Sequence, residues 1–211
     1  MRLLLAGATG LVGRHSLQRL LEDPRCSAVV APTRRPLDIA HPKLDNPVLD
    51  FEQLRDPAPQ WHVQAAICAL GTTIKQAGSR EAFHRVDHDY PWWLAQALHA
   101  NGTECFVLNS ALGADPASRI FYNRVKGELE RDLRTLGFPS LTLVRPGLIG
   151  GNRTLPRTGE QFATVLLTTL APVLPRRWRI NPATQIAQAM IEAALASRPG
   201  LQIIDSSQLV A

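Results

Sequence analysis

A glycine-rich turn occupies residues 7–13, Gly7-Ala8-Thr9-Gly10-Leu11-Val12-Gly13, between an apolar run at residues 3–6 and an amphipathic segment at residues 11–22. The apolar run predicts a buried strand, and leucines at positions 17, 20 and 21 predict one buried helix stripe. Glycines permit a tight turn, a close approach of the backbone to a pyrophosphate, and close packing of helix on strand. The turn therefore predicts a dinucleotide site at a helix N-terminus. Its spacing, G-x-x-G-x-x-G, departs from the dehydrogenase fingerprint G-x-G-x-x-G, and a purely structural turn is the alternative.

Further along the chain, short apolar runs alternate with helical patterns, which is typical of βαβ units and a parallel sheet. We predict strands at residues 3–6, 28–33, 48–49, 65–70, 105–108, 141–144 and 201–204, and helices at residues 11–22, 80–100, 118–136 and 184–196. Pro91 falls inside the second helical pattern, so the main helix there is expected to begin near it. The sequence thus predicts one α/β domain over residues 1–211. It is a doubly wound parallel sheet (Rossmann fold) with strand order 3-2-1-4-5-6, a seventh edge strand, and a small C-terminal lobe at about 150–182 over the site.

The composition is that of a globular protein. The chain has 211 residues, 45% of them hydrophobic and 19% charged, with a formal net charge of +5; these values exclude a disordered or low-complexity chain. Glycines interrupt the N-terminal apolar run, unlike a signal peptide. The longest apolar stretch, residues 162–174, is shorter than the ~18 residues that a membrane span needs. Three widely spaced cysteines in apolar runs favour a reducing compartment. We therefore predict a cytoplasmic protein with no membrane span.

Two adjacent arginines indicate which dinucleotide is bound. The second predicted strand runs into Thr33-Arg34-Arg35-Pro36, with no carboxylate before Asp38. In this fold the second strand ends near the adenosine ribose, where a carboxylate accepts hydrogen bonds from free hydroxyls and arginine accommodates a 2′-phosphate. Two guanidiniums can bind that phosphate bidentately. The sequence therefore predicts NADP, with NAD less favoured; the alternative is a pair of solvated arginines.

A serine, a tyrosine and a lysine indicate the chemistry. Ser110 follows the strand at residues 105–108, and Tyr122 and Lys126 are four residues apart on one helix face. An ammonium beside a phenol favours the phenolate and lowers its pKa from about 10. A serine hydroxyl at a neighbouring strand end can hold a substrate oxygen in line. The pattern predicts proton transfer by Tyr122 with Lys126 and Ser110 as its partners.

These segments resemble the short-chain dehydrogenase/reductase superfamily, in particular its atypical branch, which is related to NAD-dependent epimerases and Tat-interacting-protein-like oxidoreductases. The resemblance rests on the glycine turn and on residues 69–73, 83–90, 110–115, 122–128 and 145–148, so it covers the chain to about residue 150. Asp87 stands where epimerase relatives commonly carry asparagine, and Ala111 stands where related proteins often carry a second serine. The C-terminal part is much shorter than in sugar-nucleotide epimerases.

The resemblance implies an NADP-dependent oxidoreductase that transfers a hydride to or from a small carbonyl or alcohol. It implies that Tyr122 is the catalytic acid/base, that Lys126 binds the nicotinamide ribose and tunes Tyr122, and that Ser110 polarises the reacting oxygen. It also places Asp50 and Phe51 by the adenine, residues 70–72 over the cofactor and residues 146–148 at the nicotinamide. The full set of predicted cofactor contacts is Gly7, Ala8, Thr9, Gly10, Leu11, Val12, Arg34, Arg35, Asp50, Phe51, Leu70, Gly71, Thr72, Ser110, Tyr122, Lys126, Pro146 and Leu148.

Other functions and ligands remain open at this point. One is a non-catalytic NADPH-binding regulator that binds a protein partner, and another is an epimerase- or dehydratase-like enzyme with retained cofactor. His84 and His88 form a candidate metal pair, but no third histidine or cysteine stands at ligand spacing, so we predict no metal site. The arginines at 153, 157, 176, 177 and 179 favour a basic rim around the cleft over nucleic-acid binding. The expected partner is a small-molecule substrate, with a homodimer or a protein partner as further options.

Overall fold

Seven parallel strands form the central sheet of the computed structural model, which describes residues 1–55, 61–150 and 179–210. The nine strands of the described chain are β1 (Arg2–Ala6), β2 (Ala28–Val30), β3 (Leu44–Asp45), β4 (Ala65–Cys68), β5 (Cys105–Asn109), β6 (Ser140–Arg145), β7 (Ile149–Gly150), β8 (Asn181–Pro182) and β9 (Gly200–Asp205). The sheet order is β3-β2-β1-β4-β5-β6-β9, and β7 pairs with β8 separately. The strand order reverses between β1 and β4, so the predicted doubly wound fold is confirmed.

Helices cover both faces of this sheet. Among the described residues they are α1 (Leu11–Glu22), α2 (Ile74–Ala77), α3 (Arg80–His84), α4 (Tyr90–Ala100), α5 (Phe121–Thr135) and α6 (Ala183–Ala196), with 3₁₀ turns at Phe51–Arg55 and Ser206–Gln208. Leu3 and Leu5 of β1 pack into the core that α1 and α6 cover. Leu4 lies in the core on the other face, under α4 and α5. Alternate residues of a strand point to opposite faces, which is why the buried strands are apolar throughout.

The region after β2 differs from the sequence prediction. The third strand is Leu44–Asp45 rather than residues 48–49, and Val48 forms only an isolated bridge with Thr33. The second strand ends at Val30 instead of residue 33. Pro32 and Pro47 lie between these segments, and a proline has no amide hydrogen to donate to a sheet ladder. Pairing beyond Val30 is therefore irregular.

Around Pro91 the chain forms one continuous helical segment with a change of pitch. A π-helical turn, Arg85–Asp89, joins α3 to α4, and the Tyr90 amide donates to the Arg85 carbonyl. Pro91 lies in the first turn of α4, where its missing amide hydrogen is tolerated. The main helix therefore begins next to Pro91, as the sequence predicts.

Several predictions fall on the C-terminal part of the chain. The small lobe at about 150–182, the apolar stretch at residues 162–174 and four of the five rim arginines lie mostly or wholly outside the described residues, so they stay predictions. Within the described ranges, no helix is long and apolar enough to cross a membrane. The three cysteines are buried free thiols.

Candidate dinucleotide and active site

The glycine turn joins β1 to α1 at the carboxyl edge of the sheet. Gly7 has a φ of +88°, and a Cβ there would lie 2.6 Å from the Ala69 backbone. A Cβ on Gly13 would lie 2.0 Å from the Gly7 carbonyl oxygen. Only glycines therefore allow α1 to start so close to the ends of β1 and β4. No side chain among the described residues caps the first turn of α1, and this open N-terminus fits a phosphate group.

A cleft follows this edge of the sheet, at the point where strand order reverses. It consists of two adjoining cavities of about 620 Å³ and 860 Å³. Both are lined by Thr9 and Gly10 of the turn and by residues 69–72 after β4. Open α/β sheets bind their ligands in this position.

Most of the predicted site residues line this cleft. The smaller cavity contains Leu11, Val12, Ser110, Tyr122, Lys126 and Leu148; the larger contains Gly7, Ala8, Arg34, Arg35 and Phe51; and both contain Thr9, Gly10, Leu70, Gly71 and Thr72. Asp50 and Pro146 are not among the lining residues. The Asp50 carboxylate accepts the Glu52 amide at 3.1 Å, and the Pro146 carbonyl accepts the Leu112 amide at 2.8 Å. These two predicted contacts are therefore not brought into the cleft.

Helix α5 carries Tyr122 and Lys126 one turn apart. Tyr122 is 41% exposed, and its ring lies 5.9 Å from that of Phe83 between centroids. Lys126 is buried, and its Nζ lies 2.8 Å from Oδ1 of Asp87. Burial by itself lowers the pKa of Lys126, but the charges of Asp87 and Tyr122 and the hydrogen bond to Asp87 together raise it above its ordinary value. The raised pKa keeps Lys126 charged at neutral pH, one helix turn from Tyr122.

Asp87 connects that ammonium to the loop after β4. It lies on the π-helical turn with 1% exposure, and its Oδ2 accepts the Thr72 amide at 2.7 Å. A Cβ at Gly71 would lie 3.3 Å from Oδ1 of Asp87, so the loop passes close to the carboxylate. The sequence singled out Asp87 only as a departure from asparagine. Its structural role is to pair with Lys126 and to hold the loop.

Ser110 is held by a buried carboxylate that the sequence did not indicate. Its Oγ donates to Oε1 of Glu130 at 2.6 Å. Glu130 follows Lys126 by one turn of α5 and also accepts hydrogen bonds from Arg145 at the end of β6. The hydrogen bond to Glu130 raises the pKa of Arg145. Because Ser110 donates its proton to Glu130, its oxygen can accept a hydrogen bond from a group in the cleft.

Asn109 lines the smaller cavity and was not predicted as a site residue. It is the last residue of β5 and contributes to the smaller cavity. Its Oδ1 is buried and has no hydrogen-bond partner within the described chain. A buried acceptor without a donor is costly, so this atom favours a ligand that can donate a hydrogen bond. No local sequence pattern distinguishes this asparagine from any other polar residue at the end of a strand.

Arg34 and Arg35 lie at the far end of the larger cavity. Both side chains are exposed, and the Arg34 guanidinium carbon lies 5.8 Å from the centroid of the Phe51 ring. Neither arginine forms an ion pair with a described residue. Both guanidiniums can therefore bind an anion.

Comparison with known proteins identifies relatives along nearly the whole chain. The protein fmp52 of Aspergillus fumigatus is 34% identical over 208 residues, which cover 93% of this chain and 88% of the relative. HTATIP2 of Rattus norvegicus is 32% identical over 215 residues, which cover 98% and 86%. No family model matches the chain.

Solved structures share the fold. MoeE5 in complex with UDP-glucose and NAD superposes with a TM-score of 0.73 and 17% identity, covering 96% of this chain and 75% of that one.

The relatives also correct one prediction. The fmp52 proteins, including those of Aspergillus fumigatus and Saccharomyces cerevisiae, are named mitochondrial, so the predicted cytoplasmic location is wrong.

Proposed function

The chain belongs to the family of fmp52 and HTATIP2, an atypical branch of the short-chain dehydrogenases/reductases, and we propose that it is an NADP-dependent oxidoreductase acting on a small carbonyl or alcohol. The observation that carries this proposal is the shared cavity, in which Ser110, Tyr122 and Lys126 lie with the glycine turn. The turn would hold the pyrophosphate, and Lys126 would hold the nicotinamide ribose. When bound, the nicotinamide supplies or accepts the hydride.

Tyr122 transfers the proton at the substrate oxygen in this proposal. The buried ammonium of Lys126 lies one helix turn from the phenol and favours its ionised form, and Asp87 keeps this lysine charged. Ser110 positions the reacting oxygen in this proposal: its hydroxyl turns from Glu130 and donates to that oxygen when substrate binds, which leaves the substrate proton to Tyr122. These roles make Tyr122 and Ser110 the groups that touch substrate.

The acid/base role is tested with Tyr122→Phe. A screen of small carbonyls and alcohols that follows NADPH absorbance identifies a substrate for the wild-type chain. We expect the variant to bind NADPH with nearly unchanged affinity and to lose turnover, because only the phenolic oxygen is removed. A variant that turns over at the wild-type rate would exclude Tyr122 as the acid/base. Tight NADPH binding without turnover of any compound would favour the cofactor-binding regulator instead.

The choice of NADP over NAD rests on Arg34 and Arg35. Hydrogen bonds to charged groups contribute about 1.5–3 kcal/mol, so we expect Arg34→Ala/Arg35→Ala to weaken NADP binding roughly tenfold to a hundredfold. NAD binding should not change. Arg198→Ala, which removes an exposed arginine just before β9 at the opposite edge of the sheet, is the matched control. Equal affinities of the wild-type chain for NADP and NAD would contradict the assignment of the 2′-phosphate site.

A further inference from the structure

A cluster of histidines and carboxylates lies outside the cleft, between the π-helical turn and α5. It consists of His84, His88 and Asp89, with Glu128 and Asp132 facing them from α5. Oδ1 of Asp89 lies 3.1 Å from Nδ1 of His84 and 2.9 Å from Nδ1 of His88. Candidate ligand atoms of these three residues all lie within 4.8 Å of one another.

We propose that His84, His88 and Asp89 bind a divalent transition-metal ion, with zinc as the expected metal. Two imidazole nitrogens and a carboxylate oxygen are a common ligand set for Zn²⁺, and water can complete the tetrahedron. Ligands about 2.0–2.1 Å from a tetrahedral zinc ion are about 3.3 Å from each other. The spacing of both Nδ1 atoms from Asp89 is close to this value, so small movements would admit the ion.

The second nitrogen of each ring faces an acid on α5. Nε2 of His88 lies 3.0 Å from Oδ2 of Asp132, and Nε2 of His84 lies 3.7 Å from Oε2 of Glu128. Histidines that ligate a metal through one nitrogen usually donate the other N–H to a carboxylate, which fixes the tautomer and strengthens the ligand. His88 has this arrangement, which distinguishes the cluster from a chance pair of histidines on a helix surface. Nε2 of His84 faces Glu128 at a distance longer than a hydrogen bond.

The π-helical turn is what brings the third ligand to the site. On a regular α-helix, residues five apart point in directions about 140° apart, because each residue advances by about 100°. His84 and Asp89 are five apart, and the i→i+5 hydrogen bonding of the turn Arg85–Asp89 adds residues to the turn, which places the two side chains on one face. Such turns occur often at functional sites. The sequence alone therefore shows a histidine pair and conceals its carboxylate partner.

The charges around the cluster also favour a cation. Three carboxylates, Asp89, Glu128 and Asp132, face two guanidiniums: Arg131 Nε lies 2.8 Å from Asp132, and Arg124 Nε lies 3.9 Å from Glu128. With neutral imidazoles the charges of these side chains sum to −1, and Arg85, which also interacts with Asp89, has its own partner in Glu52. A bound dication would fix α3 and the π-helical turn beside the carboxylates of α5, and the opposite side of that turn carries Asp87 into the cleft. The ion would thus have a structural role beside the proposed active site.

Zinc titration of the full chain tests the proposal. After treatment with EDTA and desalting, calorimetry with ZnCl₂ should show one Zn²⁺ per chain, whereas Mg²⁺, which prefers oxygen ligands, should not bind. Co²⁺ should give the visible absorption of a tetrahedral site with nitrogen and oxygen ligands. His88→Ala and Asp89→Asn should each weaken Zn²⁺ binding at least tenfold, and Asp132→Asn should weaken it about tenfold to a hundredfold.

His62→Ala is the matched control, because His62 is exposed and lies outside the cluster. It should leave Zn²⁺ affinity and stoichiometry unchanged. Asp89→Asn keeps the shape of the side chain, so it tests the site even if His88→Ala does not fold. Absence of Zn²⁺ binding to the wild-type chain, or equal affinity in Asp89→Asn and wild type, would overturn the proposal. None of these measurements depends on NADP or on turnover.

Discussion

Replacing Asp87 by alanine is the most direct test of how the candidate site is held together. The carboxylate lies 2.8 Å from the Lys126 ammonium, and the two side chains are 1% and 4% exposed. Alanine leaves a buried ammonium without a counter-charge and the Thr72 amide without its acceptor. Removing one partner of a buried ion pair costs about 3–5 kcal/mol. At about 2–4 °C per kcal/mol for a chain of this size, we expect Tm to fall by roughly 6–20 °C.

The pH dependence of stability should change sign with this substitution. In the wild-type chain the pKa of Lys126 is raised above 10.5. Its ion pair therefore stabilises the fold fully below pH 10.5, and this stabilisation is lost as pH rises through the folded-state pKa. Without Asp87, burial is left to lower the pKa of Lys126. A lysine with a lowered folded-state pKa is destabilising below that pKa, so the variant should gain stability relative to wild type as pH rises towards 10.5.

Urea unfolding from neutral to alkaline pH measures both effects. Asp87→Asn keeps an oxygen acceptor for Thr72 and should be about 1 kcal/mol less destabilising than Asp87→Ala. The double variant Asp87→Leu/Lys126→Met replaces the pair by apolar groups but removes the acceptor of the Thr72 amide, so it should unfold about 1 kcal/mol below the wild-type free energy. A cost below about 1 kcal/mol for Asp87→Ala, or a double variant as unstable as the two single changes combined, would refute the reasoning.

Three further changes follow from the same structure. Gly13→Ala places a methyl group 2.0 Å from the Gly7 carbonyl oxygen, so it should cost at least about 2 kcal/mol in urea unfolding and weaken dinucleotide binding. Gly10→Ala should cost less, because its methyl group would lie 3.3 Å from the same oxygen. Glu130→Ala removes the shared acceptor of a serine hydroxyl and a guanidinium and should cost about 3–5 kcal/mol by thermal unfolding. Arg134→Ala is the control, because the half-exposed Arg134 guanidinium lies 3.6 Å from the Glu130 carboxylate. Its loss should cost only about 0–1 kcal/mol of stability. Burial raises the pKa of Cys68 from 9.0 to about 11, so the free energy of unfolding should fall by roughly 2–3 kcal/mol as pH rises from 9 to 11. Cys68→Ala should remove that part of the fall. An unchanged dependence of stability on pH in the variant would contradict the assignment.

The fold was predictable where one local signal was strong. The leucine spacing after the glycine turn predicted both ends of α1 correctly. The apolar runs of β1, β4 and β5 predicted the central strands of the sheet. The two residues of β3 carry no such signal. Leu44 and Asp45 are in a strand because β2 offers them a free edge, which is a property of the assembled sheet.

The site was predictable only in its local part. Tyr122 and Lys126 could be paired because residues four apart share one helix face. Asp87 and Glu130 could not be assigned, since their partners are distant in the chain and meet them only after α5 packs on the sheet. The third metal ligand, Asp89, was missed for a different reason: sequence periodicity assumes α-helical pitch, and the turn before Pro91 does not have it.

One helix therefore sets the geometry of the whole candidate active site. Tyr122, Lys126 and Glu130 follow one another at four-residue spacing on α5, so a rotation of the helix would displace the phenol, the ammonium and the carboxylate together. Gly127 limits such a rotation, because a Cβ there would lie 2.2 Å from the backbone of Asp115 in the loop that follows Ser110. This close contact joins the helix that carries Tyr122 and Lys126 to the loop after the serine. Stability of the fold and alignment of the site therefore depend on the same packing, and destabilising changes in α5 should weaken both.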